Sequence, residues 1–215
     1  PGMDWNGTVV NTLDKTINGK DNANYPPSAN NASKTALTWR KYLDEQYANG
    51  IWNTNACPIV IRYAEVLLTY AEAVNELSGP SADVYDKLDL IRGRVGMPKV
   101  DREKYASKET LRRLIRRERG VELAGEGVRR ADILRWKDDN GKMVAETVLN
   151  GVLERVVGTV NYAETDPTKR AEIDTNAPAT DKKIEDRVFK VHNRYNPIPQ
   201  GAIDNNPNLE QNPGY

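Results

Sequence analysis

The chain has 215 residues and a formal net charge of zero at pH 7, because 31 Lys and Arg residues balance 31 Asp and Glu residues. This balance argues against nucleic acid as a partner, since affinity for phosphate backbones comes mainly from a cationic excess. A single cysteine, Cys57, excludes a disulfide within the chain, and no stretch approaches the roughly 20 apolar residues of a membrane-spanning helix.

The first segment, residues 1–57, is polar, rich in Asn and weakly periodic. Its stretch "NYPPSANNAS" at 24–33 has the composition of a loop. Two interpretations of its aromatic residues remain open. Either the rings face a ligand, or some of them belong to a short amphipathic helix, "TWRKYLDEQY", that packs on the rest of the chain. The aromatic residues are Trp5, Tyr25, Trp39, Tyr42, Tyr47 and Trp52.

The stretch "IVIRYAEVLLTYAEAVNELS" at 59–78 predicts the clearest helix. Gly79 and Pro80 end this helix, and Ser81 can cap a second one that continues to about Val95. So short a turn predicts an antiparallel helical hairpin. Apolar residues spaced by three or four predict one buried stripe on the first helix, which consists of Val60, Tyr63, Leu67, Tyr70, Val74 and Leu77.

A second pair of helices follows in the sequence. One is predicted from a Ser107 cap to about Leu123, and the other from about Val128 to Lys137. The two pairs resemble each other, which favours a tetratricopeptide-like stack of about two units, although the roughly 34-residue consensus is not kept.

The remainder of the chain is harder to assign. The stretch "KMVAETVLNGVLERVV" at 142–157 fits helix or strand, and 161–187 predicts a polar loop. The alternating "RVFKVHNRY" at 187–195 predicts a short strand, and the proline-rich end predicts an extended tail. The expected fold class is mainly α, with tetratricopeptide-like helical hairpins, long irregular loops and an extended C-terminal tail. Three parts are expected: a loop-rich segment at 1–57, helix pairs at 58–139, and an irregular region at 140–215 that packs on the helices.

The basic stretch "LRRLIRRERGVELAGEGVRRADILRWK" at 111–137 poses the question of nucleic-acid binding. On a helical wheel, Glu118 and Glu122 share an arc with the apolar residues that face the core. A carboxylate on a packed face is costly unless it is paired, so we expect ion pairs with arginines of the next helix, Arg129, Arg130 and Arg135. Asp132 is expected to pair with Arg135. An ion-paired helix interface is therefore favoured over a groove-reading helix.

Residues typical of catalysis are scarce in this chain. His192 is the only histidine, which excludes multi-histidine metal sites, and Cys57 has no motif around it. No glycine-rich phosphate loop occurs, and the Asp and Asn clusters lack the spacing of a calcium loop. Carboxylate pairs for glycoside cleavage stay an open alternative, because such residues are distant in sequence, although no local signature supports them. We predict neither a metal site nor a cofactor, and we do not expect enzymatic activity.

Four stretches, in this order along the chain, resemble the SusD/RagB family of surface glycan-binding lipoproteins in outer-membrane nutrient-uptake systems. They are "IRYAEVLLTYAEAVNE" (61–76), "LDLIRGRVGMP" (88–98), "LRRLIRRERGVELAGEGVRRADILRW" (111–136) and "NPIPQGAIDNNPNLEQNPGY" (196–215). The resemblance implies tetratricopeptide-like helix pairs decorated by long loops. It also implies that the chain is the C-terminal part of a longer, lipid-anchored protein.

The resemblance further implies binding without catalysis. Family members bind oligosaccharide or polysaccharide and deliver it to a TonB-dependent transporter of the SusC type at the cell surface. The full-length parent would thus reside in the outer membrane and touch it only through its lipid anchor. A helical-repeat scaffold that binds a protein or peptide, without sugar recognition, remains the alternative.

Sugar sites combine aromatic faces with amide and carboxylate groups, and such residues collect in 1–57, where the family's binding loops largely lie. Trp52, in the loop "GIWNTNACP", is the first choice among them. Trp136 is assigned to the core instead. The candidate glycan-binding residues are Trp52, Trp39, Tyr42, Asn53 and Trp5.

Overall fold

Three helices dominate the middle of the chain, and short strands and loops dominate both ends. The computed structural model describes residues 2–3, 9–25, 32–39, 41–42, 57–166 and 169–215. The chain divides into two compact units, Cys57–Asp132 and the combination of Pro1–Ala56 with Ile133–Tyr215. We call them the helical unit and the mixed unit. The division of the sequence at 57 and 139 stays a prediction.

The helical unit contains α1 (Tyr63–Ser78), α2 (Ala82–Arg94) and α3 (Lys108–Glu122), and α4 (Arg129–Arg135) begins in it. These bounds confirm the four helices predicted from sequence. Both predicted caps are present: the Ser81 hydroxyl accepts a hydrogen bond from the Val84 N–H at 3.4 Å, and the Ser107 hydroxyl accepts one from the Thr110 N–H at 3.2 Å. Helix α1 packs against both α2 and α3.

The buried face of α1 differs from the predicted stripe. Leu68, Ala71 and Asn75 are fully buried, whereas Tyr63 and Leu77 are 70% and 85% exposed. The reason is that α1 packs against both α2 and α3, and the line of closest contact runs along Leu68, Ala71 and Asn75. Asn75 is polar, so an apolar pattern overlooks it, yet its side-chain amide donates to the Lys108 carbonyl at 3.1 Å. The prediction for Val60, Tyr63, Tyr70 and Leu77 was therefore wrong.

The core of the helical unit is apolar and continuous among the three helices. Small, branched and aromatic side chains of the three helices pack together, as close-packed interiors require. Burying these side chains removes apolar surface from water, which stabilises the folded unit. The fully or almost fully buried members are Leu68, Ala71, Val84, Leu88, Leu111, Leu114, Ile115 and Leu123.

The mixed unit is built from antiparallel two-stranded ladders. The strands are β1 (Gly2–Met3), β2 (Val9–Val10), β3 (Thr16–Ile17), β4 (Lys20–Asp21), β5 (Gly151–Glu154), β6 (Gly158–Val160), β7 (Ala171–Ile173) and β8 (Lys183–Arg187). Each strand pairs with one partner: β1 with β2, β3 with β4, β5 with β8, and β6 with β7. The unit also holds α5 (Val144–Val148), α6 (Ala179–Lys182), a 3₁₀ turn (Val191–Arg194) and α7 (Gln200–Asn205).

Two expectations about the end of the chain were wrong. The strand expected over 187–195 instead ends at Arg187, where β8 pairs with β5, and a 3₁₀ turn follows. The tail is not extended throughout, because α7 forms after Pro199. In α7 the Asn205 side chain donates to the Gly201 carbonyl at 2.7 Å, which stabilises this short helix. The prolines around it had favoured an extended conformation in the sequence.

Two small apolar clusters stabilise the mixed unit. One joins Leu13, Ala36 and Val160, and the other contains Ile133, Trp136 and Ala145. Trp136 is 3% exposed, which confirms its assignment to the core. The helices confirm the predicted mainly α fold class. Among the described residues, no helix combines the length and the apolar character that a membrane span requires.

Candidate functional site

The loop segment at 11–25 is fixed by the side chain of Asn11, which is 1% exposed. Its carbonyl oxygen accepts hydrogen bonds from the N–H groups of Leu13 at 3.0 Å and Asp14 at 2.9 Å. Its amide donates to the Asp14 carboxylate at 2.5 Å and to the Tyr162 hydroxyl at 2.8 Å. One buried amide thus closes a turn and ties it to a residue 151 positions away.

The segment at 32–39 is attached to the same scaffold. The Thr12 hydroxyl donates to the Ala36 carbonyl at 2.8 Å, and the Val156 N–H donates to the Thr35 carbonyl at 3.0 Å. Ala36 itself is buried against Leu13. The backbone is therefore hydrogen-bonded to the scaffold at Ala36, three residues before Trp39.

Trp39 and Tyr42 are the two predicted sugar-binding residues that the structure describes. The Trp39 side chain is 66% exposed and that of Tyr42 is 37% exposed. Tyr42 has a φ of +69°, in the left-handed region that a tyrosine rarely adopts. Such a conformation costs of order 1–3 kcal/mol and persists only where the surroundings determine it. Both rings have free area on which the apolar face of a sugar can stack.

The other three predicted sugar-binding residues, Trp52, Asn53 and Trp5, lie outside the described residues. The same holds for most of the stretch "TWRKYLDEQY", for which a packed amphipathic helix was the competing interpretation. Exposure of Trp39 and Tyr42 favours a ring that faces outward over one that is packed in a core. All five residues remain proposals.

The basic helix α3 directs Arg119, an arginine of its last turn, inward. Arg119 is 5% exposed and binds both carboxylate oxygens of Asp132, from Nε at 3.0 Å and from Nη2 at 3.1 Å. Its Nη1 donates to the Thr69 hydroxyl of α1 at 3.0 Å. This bidentate geometry is the one for which a guanidinium is suited. Arg119 follows Leu111 and Ile115 at four-residue spacing, and that spacing is the signal in the sequence that identifies it.

A second arginine, Arg62, joins the start of α1 to the end of α3. It binds Glu126 through Nε at 2.8 Å and Nη2 at 2.7 Å, and it binds Glu122 through Nη1 at 2.5 Å and through the Glu122 carbonyl at 2.6 Å. The hydrogen bond with Glu126 is the largest cause that raises the pKa of Arg62 above its usual value. Arg94 adds bonds to Glu122 at 2.8 and 3.0 Å.

The partners of these carboxylates differ in part from the expected ones. Glu118 is bound by Arg92 of α2 at 2.5 Å, not by an arginine of the helix that follows it. Glu122 binds Arg62 and Arg94, and Asp132 binds Arg119. The physical reason is that the fold brings the last turn of α2, which carries Arg92 and Arg94, beside Glu118 and Glu122 of α3. The expected pairs of Glu122 and Asp132 with Arg129, Arg130 and Arg135 stay predictions. Arg129 lies close to α3, with Nη1 3.3 Å from the position that a Cβ on Gly120 would occupy.

No group of three or more His, Cys, Asp and Glu side chains in the described part of the chain is arranged to hold a metal ion.

The charges of α3 contribute to helix contacts: besides Arg119, Arg112 binds Glu76 of α1 through Nε at 2.5 Å and Nη2 at 2.6 Å. The hydrogen bonding of Arg112 is the main reason that the pKa of Glu76 is lowered from its usual 4.5.

Comparison with known proteins decides the family. The family model described as the SusD family matches residues 1–215, the whole chain. The chain belongs to the SusD family. This confirms the resemblance inferred from the four ordered stretches.

Individual SusD-like relatives agree with that assignment. The chain is 34% identical to SusD-like protein P25 and 30% identical to SusD-like protein P2, both from Formosa agariphila, over 63% and 60% of its length. The crystal structure of a SusD-like protein from Bacteroides fragilis superposes with a TM-score of 0.55 at 28% identity and covers 74% of the chain. The chain spans about a quarter of each relative's length: 27%, 28% and 26%.

Proposed function

We propose that this chain is part of a glycan-binding protein of an outer-membrane nutrient-uptake system, which delivers oligosaccharide to a SusC-like TonB-dependent transporter. The match of the whole chain to the SusD family is the observation that carries the proposal. The full-length parent would be attached to the cell surface by a lipid anchor, bind its glycan without catalysis, and need no cofactor.

The exposed rings of Trp39 and Tyr42 are the part of the sugar site that we assign to described residues. Sugar binding needs flat apolar faces and fixed polar groups. The two exposed rings supply the flat faces, and the hydrogen bond from Thr12 to the Ala36 carbonyl anchors the segment that leads to Trp39. Trp52, Asn53 and Trp5 belong to the same proposed site. Loops that carry binding residues on a rigid support are the usual arrangement in binding proteins.

The test is to titrate the chain with a panel of plant and host oligosaccharides, followed by tryptophan fluorescence and confirmed by calorimetry. A saturable response to one sugar class supports the proposal and names the ligand. Loss of one stacking ring removes about 0.5–1.5 kcal/mol, so Trp39→Ala should weaken binding by about two- to twelvefold.

Tyr63→Ala is the matched control, because Tyr63 is an equally exposed ring that lies on α1. It should leave the affinity unchanged. If the two variants weaken binding to the same extent, the site does not include Trp39. If no sugar in the panel binds to the chain, the proposal is wrong for these 215 residues.

A scaffold that binds a protein is the second candidate, and one observation favours it. Helix α1 exposes apolar side chains, including Val66 at 49% and Tyr70 at 44%, beside a groove of about 490 Å³. Val66→Glu should then weaken binding of the isolated SusC-like transporter at least tenfold. Val121→Glu changes an exposed valine of α3 outside the groove and should not.

A further inference from the structure

A pocket of about 540 Å³ lies in the mixed unit and is lined by residues other than the predicted sugar-binding ones. Arg155, which follows β5, lies at its side, and Tyr25 and Lys34 come from the N-terminal segments. Helix α6 and strand β8 complete it with Thr180, Asp181, Lys183 and Ile184. We call it the Arg155 pocket.

Arg155 is held firmly in place by its neighbours. Its Nε donates to the Asp181 carbonyl at 2.8 Å, and its Nη2 donates to the Tyr25 hydroxyl at 2.5 Å. The guanidinium carbon lies 4.7 Å from the centre of the Tyr25 ring, within the range of a cation–π contact. Backbone pairing adds to this, because the Arg155 N–H donates to the Lys182 carbonyl at 2.8 Å.

One nitrogen of this arginine lacks a hydrogen-bond partner among the described residues. This atom, Nη1 of Arg155, is buried. A guanidinium carries several N–H donors, and such donors are costly to bury unsatisfied. Arg155 also lines the pocket, so its firmly held guanidinium places a positive charge at the cavity, which is what an anionic ligand group needs.

The rest of the lining has a cationic surplus. Lys34 and Lys183 accompany Arg155, and Asp181 is the one carboxylate that the lining contributes among the described residues. The Lys183 ammonium also contacts Asp186 at 2.7 Å, and the Asp181 carboxylate accepts a hydrogen bond from the Thr180 hydroxyl at 3.4 Å. The lining thus combines a positive field with a hydroxyl and a carboxylate.

We propose that the Arg155 pocket binds the anionic substituent, a carboxylate or a sulfate ester, of an acidic saccharide. The Arg155 guanidinium and the Lys34 ammonium bind the anionic oxygens, while Thr180 and Asp181 bind sugar hydroxyls. The volume suits one or two sugar residues. The saccharide half of this inference rests on the proposed function, whereas the anionic half follows from the lining.

The test is a nuclear magnetic resonance titration that follows the arginine side-chain N–H signals of the ¹⁵N-labelled chain. The probes are glucose, glucuronic acid, glucose 6-sulfate and inorganic sulfate. The Arg155 signal, assigned by its loss in Arg155→Gln, should shift in a saturable way with one or both acidic sugars. Glucose and inorganic sulfate should bind at least tenfold more weakly.

Variants separate binding from folding. Lys34→Gln leaves every hydrogen bond of Arg155 in place and should weaken binding of the acidic sugar about three- to tenfold. Lys99→Gln removes the same charge from an exposed position in the helical unit and should change nothing. Equal losses in both variants would mean that binding is a non-specific charge effect, which overturns the proposal.

The remaining outcomes are equally decisive. Glucose as effective as glucuronic acid removes the anionic requirement, and inorganic sulfate as effective as glucose 6-sulfate makes this an inorganic-anion site. The neutral oligosaccharide panel is run on the same sample. If the neutral oligosaccharides bind while the acidic sugars leave the Arg155 signal unshifted, this inference is wrong and the proposed function stands. If neither titration shows binding, both the inference and the proposed function are overturned.

Discussion

The two units of the molecule are stabilised in different ways. In the helical unit, buried polar groups such as Arg119 and Asn75 connect one helix to the next across an apolar core. In the mixed unit, buried Asn11, Thr12 and Asn22 hold loops together by bonds to backbone groups. The first unit relies on packed helix faces, whereas the second relies on single polar side chains.

This difference bears on where a ligand can bind. A packed seam leaves little room for a ligand, and its charges are already engaged with one another. A loop held by Asn11 and Thr12 leaves adjoining side chains exposed, and Trp39 lies at the end of such a segment. Loops on a fixed scaffold vary readily in sequence, which lets a shared fold carry different binding sites.

The largest expected effect is on the buried charge pair of the helical unit. Arg119→Ala leaves the Asp132 carboxylate without its bidentate partner in a region where Asp132 is 3% exposed. We expect the free energy of unfolding to fall by about 3–5 kcal/mol, measured by urea denaturation with circular dichroism. Arg117→Ala, on the exposed side of the same helix, should change it by under about 0.5 kcal/mol. Similar losses in both would show that the pair is not decisive.

The next effect tests which face of α1 is buried. Leu68→Ala should cost about 2–5 kcal/mol, because Leu68 is fully buried and a cavity would remain. Leu77→Ala removes the same atoms from a side chain that is 85% exposed and should cost under about 0.5 kcal/mol. Thermal denaturation of both variants compares the two losses in the free energy of unfolding. A larger loss for Leu77 would restore the stripe predicted from sequence.

A smaller and local effect is expected in the mixed unit. Asn11→Ala leaves the N–H groups of Leu13 and Asp14 without their acceptor, which costs about 1–3 kcal/mol. Amide hydrogen exchange of these two groups should accelerate while the exchange of α1 stays unchanged. Asn24→Ala, an exposed asparagine of the same segment, is the control. Faster exchange throughout α1 would contradict the separation of the two units.

The smallest effect concerns acid stability. The folded protein lowers the pKa of Glu76, chiefly through the Arg112 hydrogen bond. The ionised form is therefore favoured in the folded state, so its stabilisation is complete above the usual pKa of 4.5 and is lost as the pH falls below it through the folded pKa. Glu76→Gln should remove under about 1 kcal/mol at neutral pH and flatten the acid side of the stability profile. An unchanged acid slope would contradict this.

Much of the helical unit could be predicted because its signals are local. Ser81 and Ser107 begin helices, Gly79 ends one, and apolar spacing marks each segment as helical. The face of α1 could not be predicted in the same way, since Asn75 contributes to the seam through a bond to Lys108, which lies 33 residues away. Strand β8 was misplaced because it pairs with β5, and five mostly exposed residues carry little apolar pattern.

The candidate site was predictable in composition and only partly in position. Aromatic and Asn-rich content directed attention to residues 1–57, and the structure shows Trp39 and Tyr42 to be exposed. The Arg155 pocket left no local signal, because Tyr25 and Arg155 are 130 residues apart. A cation, a ring and a carbonyl from distant segments become a site only when the chain brings them together.

The sequence by itself determined the helices, their caps and the family, because each depends on neighbours within a few turns or on ordered motifs. Only the tertiary structure decided which arginine meets which carboxylate. Glu118 could pair with any of several arginines of equal reach and charge, and the fold brings Arg92 of α2 to it. The same holds for the orphaned nitrogen of Arg155, since burial and the absence of a partner among the described residues are properties of the folded chain.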